Sequence, residues 1–165
     1  MYARQKSAAF DAVMTQGRSR FDCTMILRNE GLRPVLRWLK GGGVFHFSPD
    51  MDLGARDAVF VPFFGVPAAT VTSLTRLARL TGAAVVPMVT RFDAKGYVSR
   101  FYPAWDDQPD QDLETAARAL NAFIEARVLE MPEQYLWTHR RFKTRPPGET
   151  SPYRDIDPGP DADQR

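Results

Sequence analysis

Apolar positions along this chain follow two periods, and their succession predicts an alternation of strands and helices. Val35, Leu36 and Leu39 recur at helical spacing in a stretch from about Leu32 to Lys40. Pro34 sits in its first turn, where a missing amide is tolerated, and Gly41-Gly42-Gly43 ends it. Phe21 to Leu27 is rich in strand formers, while Val44-Phe45-His46-Phe47, Ala58 to Phe64 and Ala84 to Val89 are short apolar runs that predict buried strands. Gly65-Val66-Pro67 breaks the third of these four runs, and Val71, Leu74, Leu77 and Ala78 predict a helix through about Leu80, stopped by Gly82. Gly96 ahead of Tyr97 to Tyr102 predicts the turn of a hairpin. The clearest helix runs from about Asp112 to Glu130: Asp112 can cap it, Asp110 and Glu114 suit its positive end, and Leu113, Ala117, Leu120, Ile124 and Val128 form its apolar stripe.

That order predicts an α/β fold, a layered mixed sheet with flanking helices. Sites in such sheets form on loops leaving the carboxyl ends of strands, which singles out Ser48-Pro49-Asp50-Met51-Asp52-Leu53-Gly54. Residues 1–146 read as the domain and residues 147–165, rich in Pro, Gly and Asp, as an irregular tail.

Length and composition narrow the chemistry. A chain of 165 residues supports one sizeable core. The single Cys23 excludes a disulfide framework, and its place in an apolar run predicts a buried, inert thiol. Two histidines, His46 and His139, do not make a metal site, and none is expected. The start of the chain carries no secretory apolar run, and no stretch reads as a membrane span. The longest uncharged stretch, Ala58 to Thr75, is interrupted by Pro62, Gly65 and Pro67 and is polar in its second half.

Charge is blocked along the chain. Residues 1–49 hold eight bases against three acids, residues 101–134 two bases against eight acids, and residues 135–145 four bases with no acid. Such blocks point to an anionic partner. There is no phosphate-binding glycine loop and no Gly-x-Ser-x-Gly elbow. Nothing beyond the basic and aromatic character of residues 135–145 suggests nucleic acid, and none is expected as a partner. Two segments remain. The loop 48–54 offers two carboxylates, with a solvated turn as the alternative. The block 135–145 offers Arg140, Arg141, Lys143 and Arg145 among Trp137, His139 and Phe142, a composition suited to phosphates or to lipid head groups, with a solvent-facing basic end as the alternative.

Three segments together resemble the late acyltransferases of lipid A biosynthesis, the lauroyl/myristoyl transferase family. They are Phe47-Ser48-Pro49-Asp50-Met51-Asp52-Leu53-Gly54, Ala58-Val59-Phe60-Val61-Pro62-Phe63-Phe64-Gly65-Val66-Pro67-Ala68-Ala69-Thr70, and Met131-Pro132-Glu133-Gln134-Tyr135-Leu136-Trp137-Thr138-His139-Arg140-Arg141-Phe142-Lys143-Thr144-Arg145-Pro146. The third is the most specific. The resemblance implies a glycerolphosphate-acyltransferase-like fold, incomplete in these residues, and transfer of a fatty acyl chain from acyl carrier protein to a hydroxyl of a lipid A precursor at the cytoplasmic face of the inner membrane. No cofactor is implied beyond the acyl-carrier donor.

The family's general base is a histidine followed five positions later by an acid. Here Met51 stands five after His46 and Thr144 five after His139, so the motif is not in this chain. The segment Tyr2 to Asp11 resembles the stretch that follows that motif, which makes the chain the C-terminal part of a larger domain, with the base supplied by a preceding segment or a separate polypeptide. The resemblance implies supporting roles for Asp50, Asp52 and Arg4, with Lys6 as substitute for Arg4. It implies that Arg140, Arg141, Lys143, Arg145 and His139 hold lipid phosphates or the acidic carrier. The competing expectation is a non-catalytic remnant that binds anionic lipid or acyl carrier protein.

Overall fold

The structure, a computed structural model, describes residues 2, 4–27, 30–107 and 110–153. The chain divides into two units, residues 1–47 with 80–83, and residues 48–79 with 84–165.

The N-terminal unit holds two helices. Helix α1, Ala8–Ser19, starts at Ser7, whose hydroxyl accepts the Phe10 N–H, and buries none of its residues. Helix α2, Arg33–Lys40, buries Val35 completely and shields Leu36 and Leu39 on the same side, as the spacing predicted. It ends where it should, at Gly41. Gly43 is required by close approach, because a Cβ there would overlap the Trp38 indole, whose Nε1 donates to the Val44 carbonyl.

Three expectations for this unit are corrected. Phe21 to Leu27 forms no strand; it contributes one isolated parallel bridge, Leu27 to Tyr2. Val44 to Phe47 joins no ladder among the described residues, Val44 is 91% exposed and His46 is exposed as well. Strand propensity needs a paired neighbour to become structure, and neither segment has one here. Cys23 is exposed rather than buried, for the same reason.

The larger unit is built on a hairpin. Strands β1, Ala58–Phe63, and β2, Val66–Val71, pair antiparallel from Phe63↔Val66 to Ala58↔Val71. The turn is Phe64-Gly65, with φ of +49° and +77°. Two successive positive φ values give a type I′ turn, whose twist matches that of the strands. Gly65-Val66-Pro67, expected as a break leading into a helix, instead closes the turn and starts β2. The helix, α3, begins only at Ser73 and ends at Thr81. Pro62 and Pro67 face each other across the hairpin. Counting from the turn, that is a pair whose main-chain groups point outward, so their missing N–H groups cost the ladder nothing.

Helix α4, Leu113–Glu130, lies on this hairpin. Its cap is the expected one: Asp112 Oδ1 accepts the N–H groups of Glu114 and Thr115, both at 3.0 Å. Ala116, Ala117, Leu120 and Val128 are buried with Val61, Phe63, Ala68, Ala69 and Val71 in the core.

A second hairpin pairs β3, Met88–Asp93, with β4, Gly96–Phe101, as the turn at Gly96 predicted. Its strand begins four residues later than Ala84, and most of its residues are exposed. A 3₁₀ turn at Pro132–Gln134 places the Gln134 amide against its edge: Phe92 N–H donates to Gln134 Oε1 at 2.7 Å and Gln134 Nε2 donates to the Phe92 carbonyl at 2.9 Å. The chain is thus mixed α and β. The sheets formed by the described residues are these two antiparallel pairs rather than one mixed sheet. Among the described residues no helix is long and apolar enough to cross a membrane, and no group of His, Cys, Asp and Glu is placed to hold a metal.

Candidate functional site

The loop 48–54 and the block 135–145, far apart in sequence, meet on the outer edge of β2. Arg141 and Arg145 bind that edge. Arg141 Nη1 donates to the Ala69 carbonyl at 2.8 Å, and Arg145 Nη1 donates to the Pro67 carbonyl at 2.5 Å. These carbonyls are two residues apart and both point away from β1, so the arginines satisfy what a third strand would otherwise pair.

Arg141 does more. It is 2% exposed, and its Nη2 donates to Thr70 Oγ1 at 3.0 Å and to Asn121 Oδ1 at 3.3 Å. Asn121, fully buried on α4, in turn donates to the outward carbonyl of Pro62 and to Thr70 Oγ1. The Arg141 guanidinium also lies over the Phe63 ring, 5.3 Å from its centre. A buried arginine is tolerated only when its charge and donors are met. Here one carbonyl, one hydroxyl, one amide and one carboxylate meet them.

That carboxylate is Asp50, whose Oδ1 is 3.2 Å from Arg141 Nε. The two groups form an ion pair without the alignment of a hydrogen bond. Asp50 keeps 29% of its side chain exposed. Burial of the remainder pushes its pKa above the usual carboxylate range, against the opposing pull of Tyr135, Arg141 and His139.

Asp52 differs in kind. It is 2% exposed, and every contact it makes is internal. Its Oδ1 accepts the Gly54 N–H at 2.9 Å and the Thr144 hydroxyl at 2.8 Å, and its Oδ2 accepts the Thr144 N–H at 2.8 Å. The Asp52 N–H donates to His139 Nε2 at 3.1 Å. That assignment makes Nε2 the unprotonated nitrogen of the imidazole. His139 and Asp52 together lock the loop to the basic block.

The five predicted contacts of the block therefore divide. Arg141 and Arg145 are committed to β2, Arg145 also pairing with Glu149, and His139 is committed to Asp52. Arg140 and Lys143 are exposed, with Arg140 near the Tyr153 ring. Leu136 and Trp137, 69% and 59% exposed, stand beside them in the chain. Arg4 and Lys6 are exposed residues of the N-terminal unit. In the tail 147–165, Glu149 and Tyr153 turn back on the block, Tyr153 Oη accepting the Phe142 N–H, while residues 154–165 lie outside those described.

Sequence reasoning missed Asn121, Thr144, Thr70 and Tyr135. Asn121 had a signal: it falls on the apolar stripe of α4, four residues after Ala117, where a polar residue needs a buried partner. Thr144 and Tyr135 had none beyond lying in the block.

The chain matches the family described as bacterial lipid A biosynthesis acyltransferase over residues 1–144. It is similar to the lipid A biosynthesis lauroyltransferase of Escherichia coli (strain K12), 42% identical over 156 residues, which is 93% of this chain and 51% of that relative. The palmitoleoyltransferase of the same organism is 41% identical over 92% of the chain and 50% of the relative, and its myristoyltransferase 35% identical over 95% and 49%. The chain spans about half the length of the curated relatives it matches. With a match across nearly the whole chain, including both segments that build the Asp50–Arg141 cluster, the chain belongs to the bacterial lipid A biosynthesis acyltransferase family.

Proposed function

We propose that this chain serves acyl transfer in lipid A biosynthesis, the acyl group passing from acyl carrier protein to a hydroxyl of a lipid A precursor. The observation that supports it is the identity to the lauroyltransferase, which runs over 93% of the chain and so takes in the whole Asp50–Arg141 cluster. In the reaction the acceptor oxygen bonds to the thioester carbonyl carbon, the carbon–sulfur bond breaks, and the hydroxyl proton passes through a general base to the departing thiolate.

The residues divide the work. Asp50 is the carboxylate open to a substrate or to a base beside it; Asp52, Arg141 and Arg145 hold its loop in place. Arg140 and Lys143 attract lipid phosphates or the acidic carrier. Leu136 and Trp137 add apolar and aromatic contact at the cytoplasmic face of the inner membrane. His139 uses its Nε2 on Asp52 and is not assigned as the base. The family's His-x-x-x-x-acid pair comes from outside these 165 residues, and the layered glycerolphosphate-acyltransferase-like sheet is completed with it.

The absence of that pair from the chain favours a second reading, a module that binds anionic lipid or acyl carrier protein without transfer. One experiment separates them. The purified chain is mixed with acyl carrier protein bearing a labelled acyl group and with vesicles holding a lipid A precursor, with and without a polypeptide carrying the family's histidine motif. Transfer to the precursor that disappears in Asp50→Asn supports the first reading. Vesicle or carrier binding without transfer in either mixture supports the second, and no binding at all removes both.

A further inference from the structure

We propose that residues 146–153 form a strap that occupies the anion-binding surface of the basic block and is displaced from it by the phosphates of a lipid surface. The inference deepens the reading of that block as a head-group surface and rests on it.

A local turn folds the strap back. Pro147 and Gly148 are the central residues of a turn closed by the Glu149 N–H, which donates to the Pro146 carbonyl at 3.1 Å. Gly148 has φ of +86°, so the pair makes the type II turn that a Pro-Gly dipeptide favours. The turn returns the chain to Arg145, whose Nη2 donates to the Glu149 carboxylate. Further along, Tyr153 Oη accepts the Phe142 N–H at 3.3 Å, and its ring centre lies 5.8 Å from the Arg140 guanidinium carbon, within reach of a cation–π contact. Glu149 thus gives Arg145 the oxyanion that a lipid phosphate would offer, and Tyr153 covers Arg140. Lys143, between them in sequence, stays exposed. The hold is light: none of residues 146–153 is buried, and Glu149 keeps 45% of its side chain exposed. The exposed Leu136 and Trp137 at the start of the block favour a lipid surface over an acidic protein as the competing anion. The purely structural alternative is that the strap closes the end of the fold and competes with nothing.

The test weakens the strap and reads lipid binding. The full chain and its variants are sedimented with vesicles of phosphatidylcholine alone and of phosphatidylcholine with phosphatidylglycerol. Glu149→Gln releases one basic residue to an anionic surface and is expected to tighten binding to the phosphatidylglycerol vesicles by about fivefold, with no change on phosphatidylcholine alone. Tyr153→Ser, which uncovers Arg140, is expected to act in the same direction. Unchanged or weaker binding in either variant overturns the proposal, as does the absence of vesicle binding by every chain. Glu133→Gln removes the same charge from an exposed residue outside the strap; an equal gain there means that net charge alone acts, and overturns the proposal too. A gain confined to acyl carrier protein, offered in place of vesicles, would make an acidic protein the competitor and overturn the lipid assignment. Failure of the acyl-transfer assay would remove the functional reading and leave these affinities interpretable.

Discussion

Asp52 and Thr144, 92 residues apart in sequence, are joined twice: the Thr144 N–H donates to one carboxylate oxygen and its hydroxyl to the other, both at 2.8 Å. The pair makes the two family segments one structural unit. It also means that the two aspartates of a single short motif have different tasks, Asp52 internal and Asp50 presented.

Asp52→Ala is accordingly expected to destabilise the chain by about 2–3 kcal/mol, since it removes three hydrogen bonds and leaves the half-buried Thr144 and Gly54 N–H groups without their acceptor. Thr144→Val removes only the hydroxyl bond and should cost about 1 kcal/mol. Urea unfolding of the two single variants and the double variant checks this; additive losses would mean the two residues do not interact.

Asp50→Asn should keep the fold, and its effect should depend on pH in a determined direction. The folded state raises the Asp50 pKa, so between the ordinary carboxylate range and the raised value the folded form binds more protons than the unfolded one. The contribution of Asp50 to stability therefore falls as pH rises through that window. The stability of the wild-type chain relative to Asp50→Asn, measured by urea unfolding at a series of acidic pH values, should decline with rising pH and then level off.

Asn121→Leu tests the buried polar network from the helix side. The variant leaves the Pro62 carbonyl and one Arg141 donor unsatisfied and is expected to cost about 2–4 kcal/mol despite its greater hydrophobicity. A thermal midpoint equal to or above that of the parent chain would show that the helix needs no polar residue there.

Charge reversal at Arg140 and Lys143 together should weaken binding to vesicles of anionic lipid by at least about tenfold, at roughly 1 kcal/mol per basic residue near such a surface. Leu136→Ser with Trp137→Ser should weaken it further without changing its salt dependence. Sedimentation with vesicles at two salt concentrations provides the measurement.

The hairpin turn offers a gain. Phe64 holds φ at +49°, a conformation that asparagine tolerates far better, so Phe64→Asn creates the favoured Asn-Gly turn. Stabilisation of about 0.5–1 kcal/mol is expected, reduced by loss of the edge contact between the Phe63 and Phe64 rings. Differential scanning calorimetry reads the sign.

Helices were read well where capping and periodicity agreed. Asp112 and the stripe from Leu113 to Val128 placed α4 to within a residue, and Pro34 with Gly41 bounded α2. Strands were read less well, because pairing is decided by distant residues. Val66 to Val71 looked helical from Val71 onward and broken at Pro67, yet a two-residue turn sets it against β1. Phe21 to Leu27 had the composition of a strand without a neighbour to pair with. At the site, the chemistry of Asp50 and of the basic block was legible as residue types. Which carboxylate faces outward, and which arginines are committed to carbonyls, depended on contacts such as Asp52 with Thr144 and Arg141 with Ala69 that no local pattern encodes.

The Gln134 amide on the edge of β3 has a consequence for assembly. By taking both outward main-chain groups of Phe92, it occupies the rung on which an incoming strand would have to register. Any polypeptide that lengthens this small sheet along β3, whether from the same gene or from a stray neighbour, must first evict a side chain anchored in the turn leading to Tyr135. Template-driven clumping at this edge is thereby discouraged, and legitimate sheet growth there would be felt at the threshold of the candidate site.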